Sequence, residues 1–275
     1  MLESAKIGIK KLLKNKTYFI NANNLADLEQ QVAQENMKII SMIKKAIESS
    51  NIISYFQPII DNNTKKIAKY ESLVRLINDN GEILAPFFFL ETSKKSNYYS
   101  QITNIVLEYS FKVLKKCHLD ISINLSAIDI EQKSIRKTIL DLLEKYKEHT
   151  PKVIFELLED EEIKDPKIIT EFITTVKSYG VKIAIDDFGT GYSNYERLLA
   201  YQPDILKIDG CLIRDIETNT YALSAVKSIV TFAKEQNLQT VAEFIENESI
   251  FNIVKDLGID FSQGYYFGKP EPLKR

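Results

Sequence analysis

The stretch that decides the fold is Val181-Lys-Ile-Ala-Ile-Asp186-Asp187-Phe-Gly189-Thr190-Gly191-Tyr-Ser-Asn194. Its apolar, β-branched beginning is typical of a buried strand, and its end carries two adjacent carboxylates followed by a glycine-containing loop. Two like charges at one strand end stay ionised at low cost only with a cation between them. A solvated Asp-Asp turn is the simpler interpretation of the segment taken alone. The segment therefore predicts a buried strand, and it leaves the role of the carboxylates open.

Outward from this strand, the chain alternates regularly between helical and strand-like patterns. Helical spacing predicts helices at about 97–117, 127–147, 165–179, 193–201, 220–236 and 247–257, separated by short apolar strands at 120–125, 152–158, 181–186, 204–208, 238–243 and 258–262. Ahead of them lie a predicted helix at 24–49 and two β-rich runs, 52–60 and 67–76, joined by a turn at 61–64. Repeated strand–helix units after an opening hairpin predict an α/β barrel, with an open doubly wound sheet as the alternative.

Composition excludes several classes of protein. The 275 residues are 44% hydrophobic and 27% charged, which is enough apolar material for a large core, and the formal net charge is −2. This charge gives no general attraction to polymeric nucleic acid or to an anionic membrane. No apolar run approaches the roughly 18–20 residues of a membrane span, and no signal peptide is evident, so we expect a cytoplasmic chain without membrane contact. Two cysteines and two histidines in unrelated contexts support neither zinc-thiolate nor Ser-His-Asp chemistry.

Polar side chains mark the carboxyl ends of most predicted strands, which in a barrel face the active site. They are mainly acids and amides, with one lysine: Glu71, Asn124, Glu156, Asp186, Asp187, Lys207 and Glu243. Oxygen ligands of this kind favour Mg²⁺ or Mn²⁺ over zinc, and a pair of cations sharing an aspartate suits in-line attack at phosphorus. Lys207 has either a catalytic role or the structural role of neutralising its neighbours. Arg75 could hold a phosphate, although alone it would more often form a structural ion pair.

These residues lie in motifs that resemble those of the EAL-domain cyclic di-GMP phosphodiesterases. The ordered matches span residues 50–272: Tyr55-Phe-Gln57-Pro58, Glu71-Ser-Leu73-Val-Arg75, Asn124-Leu-Ser126, Phe155-Glu156-Leu-Leu-Glu159, Asp186-Asp187-Phe-Gly189-Thr190-Gly191-Tyr-Ser193, Leu206-Lys207-Ile-Asp209, Ala242-Glu243-Phe-Ile-Glu246 and Gln263-Gly-Tyr-Tyr-Phe-Gly-Lys-Pro270. The resemblance implies a modified TIM (β/α)8 barrel with an antiparallel first strand. It also implies hydrolysis of cyclic di-GMP to linear pGpG by in-line attack of a water activated by two Mg²⁺ or Mn²⁺ ions.

The resemblance also implies roles for individual residues. Glu71, Asn124, Glu156 and Asp186 match the ligands of one metal, Asp187 and Glu243 match those of the second, and Lys207 and Glu243 match the residues that position or deprotonate the nucleophile. Gln57, Leu73, Arg75, Glu246 and Gln263 match substrate-binding positions. Glu159 matches a clamp on the loop that contains Gly189, Thr190 and Gly191, and the helix after this loop implies a homodimer.

Residues 1–20 resemble the end of a GGDEF domain without its catalytic motif. We therefore expect a fragment of a longer signalling protein with upstream GGDEF or sensory domains, in which residues 21–50 are a connecting helix and residues 51–275 form the EAL barrel.

Two positions depart from the family pattern: Ser72 replaces the alanine of the eponymous motif, and Phe244 replaces the glycine after Glu243. Serine is small, so we expect little effect on the neighbouring Glu71. Phe244 is bulkier and would either narrow the edge of the pocket or pack outward without effect.

Two other functions share the fold: a non-catalytic module that binds cyclic di-GMP or a protein, and a phosphodiesterase for another substrate such as the linear product.

Overall fold

The structure, a computed structural model, describes residues 25–158, 164–189 and 195–273, apart from the side chains of residues 25, 195 and 196. Its contacts divide the chain into two units. The described part of the first unit comprises residues 25–51 and 76–99. The second comprises residues 52–75 and 100–273 and contains nearly all of the predicted site. Residues 1–20, which we expect to derive from an upstream domain, lie outside the described residues.

The first unit is built around helix α1 (Leu25–Glu48), which ends within one residue of its predicted limit. Ile43 and Ala46 near its carboxyl end are buried, whereas Leu28 and Val32 in its first half are exposed. The unit also contains strand β3 (Ile83–Leu84), a 3₁₀ helix (Pro86–Phe88) and helix α2 (Leu90–Lys94), none of which the periodicity indicated. β3 pairs antiparallel with the end of the second strand of the chain, at Leu76 and Ile77.

The second unit is a barrel whose strands are β1 (Ile52–Asp61), β2 (Ile67–Ile77), β4 (Asp120–Leu125), β5 (Val153–Leu158), β6 (Lys182–Phe188), β7 (Ile205–Ile208), β8 (Gln239–Ala242) and β9 (Phe261–Gln263). The helices between them are α3 (Tyr99–Leu114), α4 (Ala127–Glu131), α5 (Lys133–Lys145), α6 (Pro166–Lys177), α7 (Tyr195–Tyr201), α8 (Gly210–Ile213), α9 (Thr220–Glu235) and α10 (Glu248–Asp256). A second 3₁₀ helix, Lys147–Lys152, leads into β5.

The sheet closes through eight strands, as the strand–helix alternation predicts. In the closed barrel the parallel pairs are β2–β4, β4–β5, β5–β6, β6–β7, β7–β8 and β8–β9, whereas β1 runs antiparallel to β9 and to β2. Asp61 explains the tight hairpin between β1 and β2, because its carboxylate accepts hydrogen bonds from the backbone N–H groups of Asn63 and Thr64. The modified TIM barrel with an antiparallel first strand is thereby confirmed, and the open doubly wound sheet is excluded.

An apolar layer fills the barrel directly beneath the polar strand ends. It consists of one buried residue from each of six strands: Ile59, Ile154, Ala184, Ile205, Val241 and Phe261. Side chains two positions apart in a strand point to the same face, so Ile154 and Glu156 both face inward, as do Ile205 and Lys207. The charged residues therefore lie directly above a layer of buried apolar side chains. A larger core lies between the strands and the outer helices, for example where Phe155 of β5 meets Phe172 of α6.

The predicted helix at 127–147 is interrupted, which the sequence did not reveal. Ser126 and Asp129 form a capping box at the start of α4, and Gln132 then adopts an extended conformation before α5 begins. Thr103 and Ser100 of α3 hydrogen-bond to the side chains of Asp129 and Gln132, which fixes the break. Among the described residues, no helix has the length and apolar character needed to cross a bilayer.

Candidate active site

Lys207 lies at the centre of the barrel mouth, surrounded by carboxylates. Its Nζ is 2.8 Å from Glu156 Oε2, 2.8 Å from Glu243 Oε1, 2.9 Å from Asp186 Oδ1 and 3.7 Å from Glu71 Oε2. The lysine is 1% exposed, and all four acids are buried as well. Acids from four strands or strand ends thus converge on the ammonium group that β7 supplies, as the parallel topology predicts.

Amide side chains hold Glu71 from the other side. Asn124 Nδ2 donates to Glu71 Oε1 at 2.8 Å, and Gln263 Nε2 donates to Glu71 Oε2 at 2.6 Å. Gln263 Nε2 also lies 3.2 Å from Gln57 Oε1, while Gln57 Nε2 donates to the carbonyl of Gly268. Both oxygens of Glu71 are therefore fixed by partners on β4 and β9, so the carboxylate has one orientation.

Four carboxylates around a single cation leave this site short of positive charge, and the pKa values reflect the deficit. Burial, together with the charges of Glu71 and Asp186, raises the pKa of Glu156 to about 8 although Lys207 opposes the rise. Burial also raises the pKa of Glu243 well above its usual value. In Glu71 burial is outweighed by Lys207 and by the two amide donors, which lower its pKa. Additional cations would allow all of these groups to ionise together.

A bulge in β6 brings Asp186 and Asp187 to the same site. Adjacent residues of a regular strand point to opposite faces, but the register between β6 and β7 shifts between Ile185 and Phe188. Asp187 adopts the left-handed conformation, with φ of 55°. Burial and the neighbouring carboxylates of Asp186 and Asp209 raise the pKa of Asp187 to about 6. The two acids whose adjacency first drew attention are thus delivered together by a specific backbone distortion.

The donor set fits divalent cations. Carboxylate oxygens of Asp186, Asp187 and Glu243 lie within 4.8 Å of one another, a spacing at which one ion could contact all three. Asp186 Oδ1 is buried and has no hydrogen bond; Lys207 lies 2.9 Å away, but not in hydrogen-bonding geometry. This oxygen therefore retains the capacity to bind a cation. Hard oxygen donors of this kind suit Mg²⁺ or Mn²⁺.

Of the remaining predicted residues, Leu73, Arg75, Gly189 and Glu246 lie within the described part of the chain. Arg75 is half-buried, its Cζ is 5.8 Å from the centre of the Tyr55 ring, and burial lowers its pKa. Leu73 is half-buried and Glu246 is exposed. Gly189 has φ of 102°, and a Cβ atom there would lie 2.6 Å from Leu212 Cδ1. The other predicted clamp residues, Glu159, Thr190 and Gly191, lie outside the described residues.

The two departures from the family pattern have different surroundings. Ser72 faces away from the site, and its hydroxyl pairs at 2.8 Å with that of Ser110 on α3, both being buried. Phe244 lies on the rim directly after Glu243 and is 44% exposed. Ser110, and Gly210 and Arg214, which contact Phe244, carry no signal in the sequence, because each acts through a partner distant in sequence.

Comparison with known proteins is consistent with this geometry. The family model described as EAL domain matches residues 40–270. The chain belongs to the EAL domain family. It is 34% identical over 253 residues to the probable cyclic di-GMP phosphodiesterase PdeA of Escherichia coli K12, covering 89% of this chain and 34% of PdeA. It is 32% identical over 249 residues to the cyclic di-GMP phosphodiesterase PdeF of the same organism, covering 89% of this chain and 33% of PdeF.

The solved structures extend the likeness to the fold of this EAL domain. The PaMucR phosphodiesterase in complex with c-di-GMP superimposes with a TM-score of 0.79 at 26% identity, covering 86% of this chain and 98% of that one. The EAL enzyme Bd1971, in its cAMP- and cyclic-di-GMP-bound form, gives a TM-score of 0.83 at 25% identity, covering 98% of this chain and 73% of that one. The chain spans about a third of the length of the curated relatives named above.

Proposed function

We propose that this EAL domain hydrolyses cyclic di-GMP to linear pGpG. The observation that carries the proposal is the convergence of Glu71, Glu156, Asp186 and Glu243 on Lys207 within 3.7 Å at the mouth of the barrel. A purely structural ion pair needs one acid for each base, whereas this cluster has a surplus of buried acids. Such a surplus is what a site for cations and an anionic phosphodiester requires.

The cluster divides into ligands for two cations, Mg²⁺ or Mn²⁺. Glu71, Asn124, Glu156 and Asp186 would hold one, and Asp187 and Glu243 would hold the second. Bound divalent cations lower the pKa of water and neutralise charge on a transferring phosphoryl group. The two amide donors to Glu71 would fix the first set of ligands, as partners behind metal ligands generally do.

The protein's own groups then orient the reactants. Lys207 would remain charged, because the four acids raise its pKa well above the ordinary value even though burial opposes this. It would therefore donate hydrogen bonds to the attacking water or to a phosphoryl oxygen rather than accept a proton. Glu243, whose carboxylate lies 2.8 Å from Lys207, would act with it in positioning or deprotonating the water. The bond that breaks joins phosphorus to the 3′ oxygen, which leaves a 5′ phosphate on pGpG.

The substrate-binding residues would lie on the β1, β2 and β9 side of the mouth. Gln57 and Gln263 are linked to Glu71 by hydrogen bonds, and Arg75 supplies a guanidinium group on the same strand as Glu71. Leu73 and Glu246 complete this set. The proposal has three further parts. Glu159 would clamp the loop containing Gly189, Thr190 and Gly191, and the protein would form a homodimer. Residues 21–50 would attach the barrel to an upstream GGDEF or sensory domain.

The test is to incubate the protein with cyclic di-GMP and either Mg²⁺ or Mn²⁺ and to follow pGpG by chromatography. We expect turnover with at least one cation, none in EDTA, and a loss of at least about 100-fold in kcat for Glu71→Gln or Asp187→Asn, because each change removes a ligand charge. Calorimetric titration of Mn²⁺ should show weaker binding to both variants. Binding of cyclic di-GMP without turnover by the unmodified protein would instead identify a receptor.

A further inference from the structure

Phe244 is an aromatic residue in a backbone conformation that normally requires glycine. It follows Glu243 directly, at the end of β8, and its φ is 54°. Bulky residues rarely adopt this left-handed conformation, and strain of this kind persists where the surroundings enforce it and is common at functional sites. Its ring is not buried in a core that would compensate for the strain, since 44% of the residue is exposed. The position therefore requires an explanation other than packing stability.

One side of the Phe244 ring lies against the first turn of α8. A Cβ atom on Gly210 would lie 2.2 Å from Phe244 Cδ2, so the ring occupies the space that any other residue at 210 would fill. The guanidinium Cζ of Arg214 lies 4.2 Å from the ring centre. Gly210 and Arg214 are one helical turn apart, and both contact the ring. Despite these contacts, 44% of the residue stays exposed, so part of the side chain remains accessible to a ligand.

We propose that Phe244, backed by Arg214, is a platform on which a purine base of the substrate stacks. The inference rests on the proposed function, which supplies a substrate with two purines. The ring is adjacent in the chain to Glu243, so a base that stacks there belongs to a nucleotide whose phosphate lies near the acidic cluster. Arg214 adds a positive charge behind the ring, which favours an anionic dinucleotide at this rim. Phe244 thereby determines specificity for substrates that carry a large flat base.

The test compares Phe244→Leu with Phe244→Tyr. Both keep a bulky side chain in the left-handed backbone conformation, but only tyrosine keeps the flat ring, so strain is matched. We measure Kd for cyclic di-GMP in Ca²⁺, a larger cation with looser geometry than Mg²⁺, and KM and kcat in Mn²⁺. If Phe244 is such a platform, Phe244→Leu should raise Kd and KM by about 5- to 100-fold and change kcat less. Phe244→Tyr should leave Kd, KM and kcat within about twofold of the values of the unmodified protein.

The fluorescence of a substrate analogue reports base stacking directly, and a purely structural role of Phe244 would not change it. Cyclic di-GMP with one guanine replaced by 2-aminopurine should lose fluorescence on binding to the unmodified protein and to Phe244→Tyr, because stacking quenches this base, and should retain more of it on Phe244→Leu. Equal Kd and equal quenching in all three proteins would overturn the platform. So would a leucine variant that loses kcat while its Kd and KM are unchanged, since Phe244 would then position Glu243.

Failure of the proposed function has a different signature. Absence of pGpG formation by the unmodified protein would refute the phosphodiesterase, while the Kd and quenching measurements in Ca²⁺ would still decide the platform. Conversely, normal turnover with no effect of Phe244→Leu would leave the phosphodiesterase standing and refute the platform alone.

Discussion

Lys207 shows at the scale of one residue how the barrel tolerates a buried acidic cluster. Three carboxylate oxygens lie within 2.9 Å of its ammonium group, and a fourth lies at 3.7 Å. Burying these acids without a cation would be strongly unfavourable. The lysine therefore stabilises the site in the absence of divalent metal and, in the proposed reaction, orients the reactants within it.

Replacing Lys207 by methionine should destabilise the protein most when metal is removed. In EDTA we expect the free energy of unfolding to fall by about 3 kcal/mol or more, since removal of one partner leaves uncompensated buried charge. Mn²⁺ should restore part of the loss by supplying positive charge. Urea unfolding with and without Mn²⁺ measures both effects. Lys112→Met, which removes an exposed ion pair with Glu108, is the control and should cost less than about 1 kcal/mol. Equal losses in the two variants would contradict this account of Lys207.

Ser72 and Ser110 form a matched pair away from the site. Ser72→Ala leaves the buried Ser110 hydroxyl without this partner, so we expect a loss of about 1–2 kcal/mol in the free energy of unfolding. The double variant with Ser110→Ala should lose less than the sum of the two single variants. Urea unfolding of all four proteins tests the coupling. Strict additivity would show that the hydroxyl pair contributes nothing.

At the scale of elements, the turn from β6 into its loop carries much of the site. The bulge after Ile185 turns Asp186 and Asp187 to the same side, and Gly189 then passes so close to Leu212 that a methyl group has no room. The position of Asp187 therefore depends on the packing of a glycine two residues later. A change at Gly189 should be transmitted to the carboxylates.

Gly189→Ala should accordingly reduce catalysis as well as stability. The substitution adds left-handed strain and a Cβ atom 2.6 Å from Leu212 Cδ1, so we expect kcat for cyclic di-GMP to fall by at least about tenfold. Gly81→Ala is a matched control, because Gly81 has φ of 80° but nothing within 4 Å of a new Cβ atom. It should cost about 1 kcal/mol in stability and leave kcat within about twofold. If the Gly189→Ala variant were as active as Gly81→Ala, the backbone at residue 189 would have no influence on catalysis.

The sequence predicts the helices and strands that have strong periodicity well. It does not predict the positions where the backbone departs from regular helix or strand geometry. Helix α1, the opening hairpin and the strand–helix alternation follow from apolar spacing, and the polar strand ends follow from the alternation. The break at Gln132 was missed because helical spacing continues across it, while the cause lies in hydrogen bonds from α3. The left-handed conformation of Phe244 does not follow from local preference either, because bulky residues rarely adopt it; its indication in the sequence is the glycine that the family pattern has at this position.

At the scale of the whole barrel, the end opposite the site contains a second buried lysine, Lys69. It is 4% exposed, donates to Gln239 Oε1 at 2.9 Å and lies 3.9 Å from the centre of the Phe261 ring. Burial, followed by the charge of Lys182, lowers its pKa to about 8. The barrel thus encloses one lysine in contact with acids at its mouth and another, two residues before Glu71 on β2, whose pKa is set mainly by burial.

Lys69 makes stability depend on pH in a predictable direction. Its folded pKa of about 8 lies below the ordinary 10.5, so between these values the unfolded chain binds more protons than the folded one. Stability contributed by this residue must then rise with pH across that window. Relative to Lys69→Met, the unmodified protein should gain about 2 kcal/mol between pH 8 and pH 10, measured by urea unfolding. A constant difference across this range would show that Lys69 titrates normally.

In the proposed reaction, the charged mouth of the barrel directs water to one phosphorus of cyclic di-GMP. Running the reaction in H₂¹⁸O with Mn²⁺ and analysing the product by mass spectrometry shows whether water is the nucleophile. We expect pGpG with one ¹⁸O in its 5′ phosphate, and no product from Asp187→Asn on the same timescale. Cyclic di-GMP recovered intact after prolonged incubation, despite measurable binding, would contradict the proposed reaction.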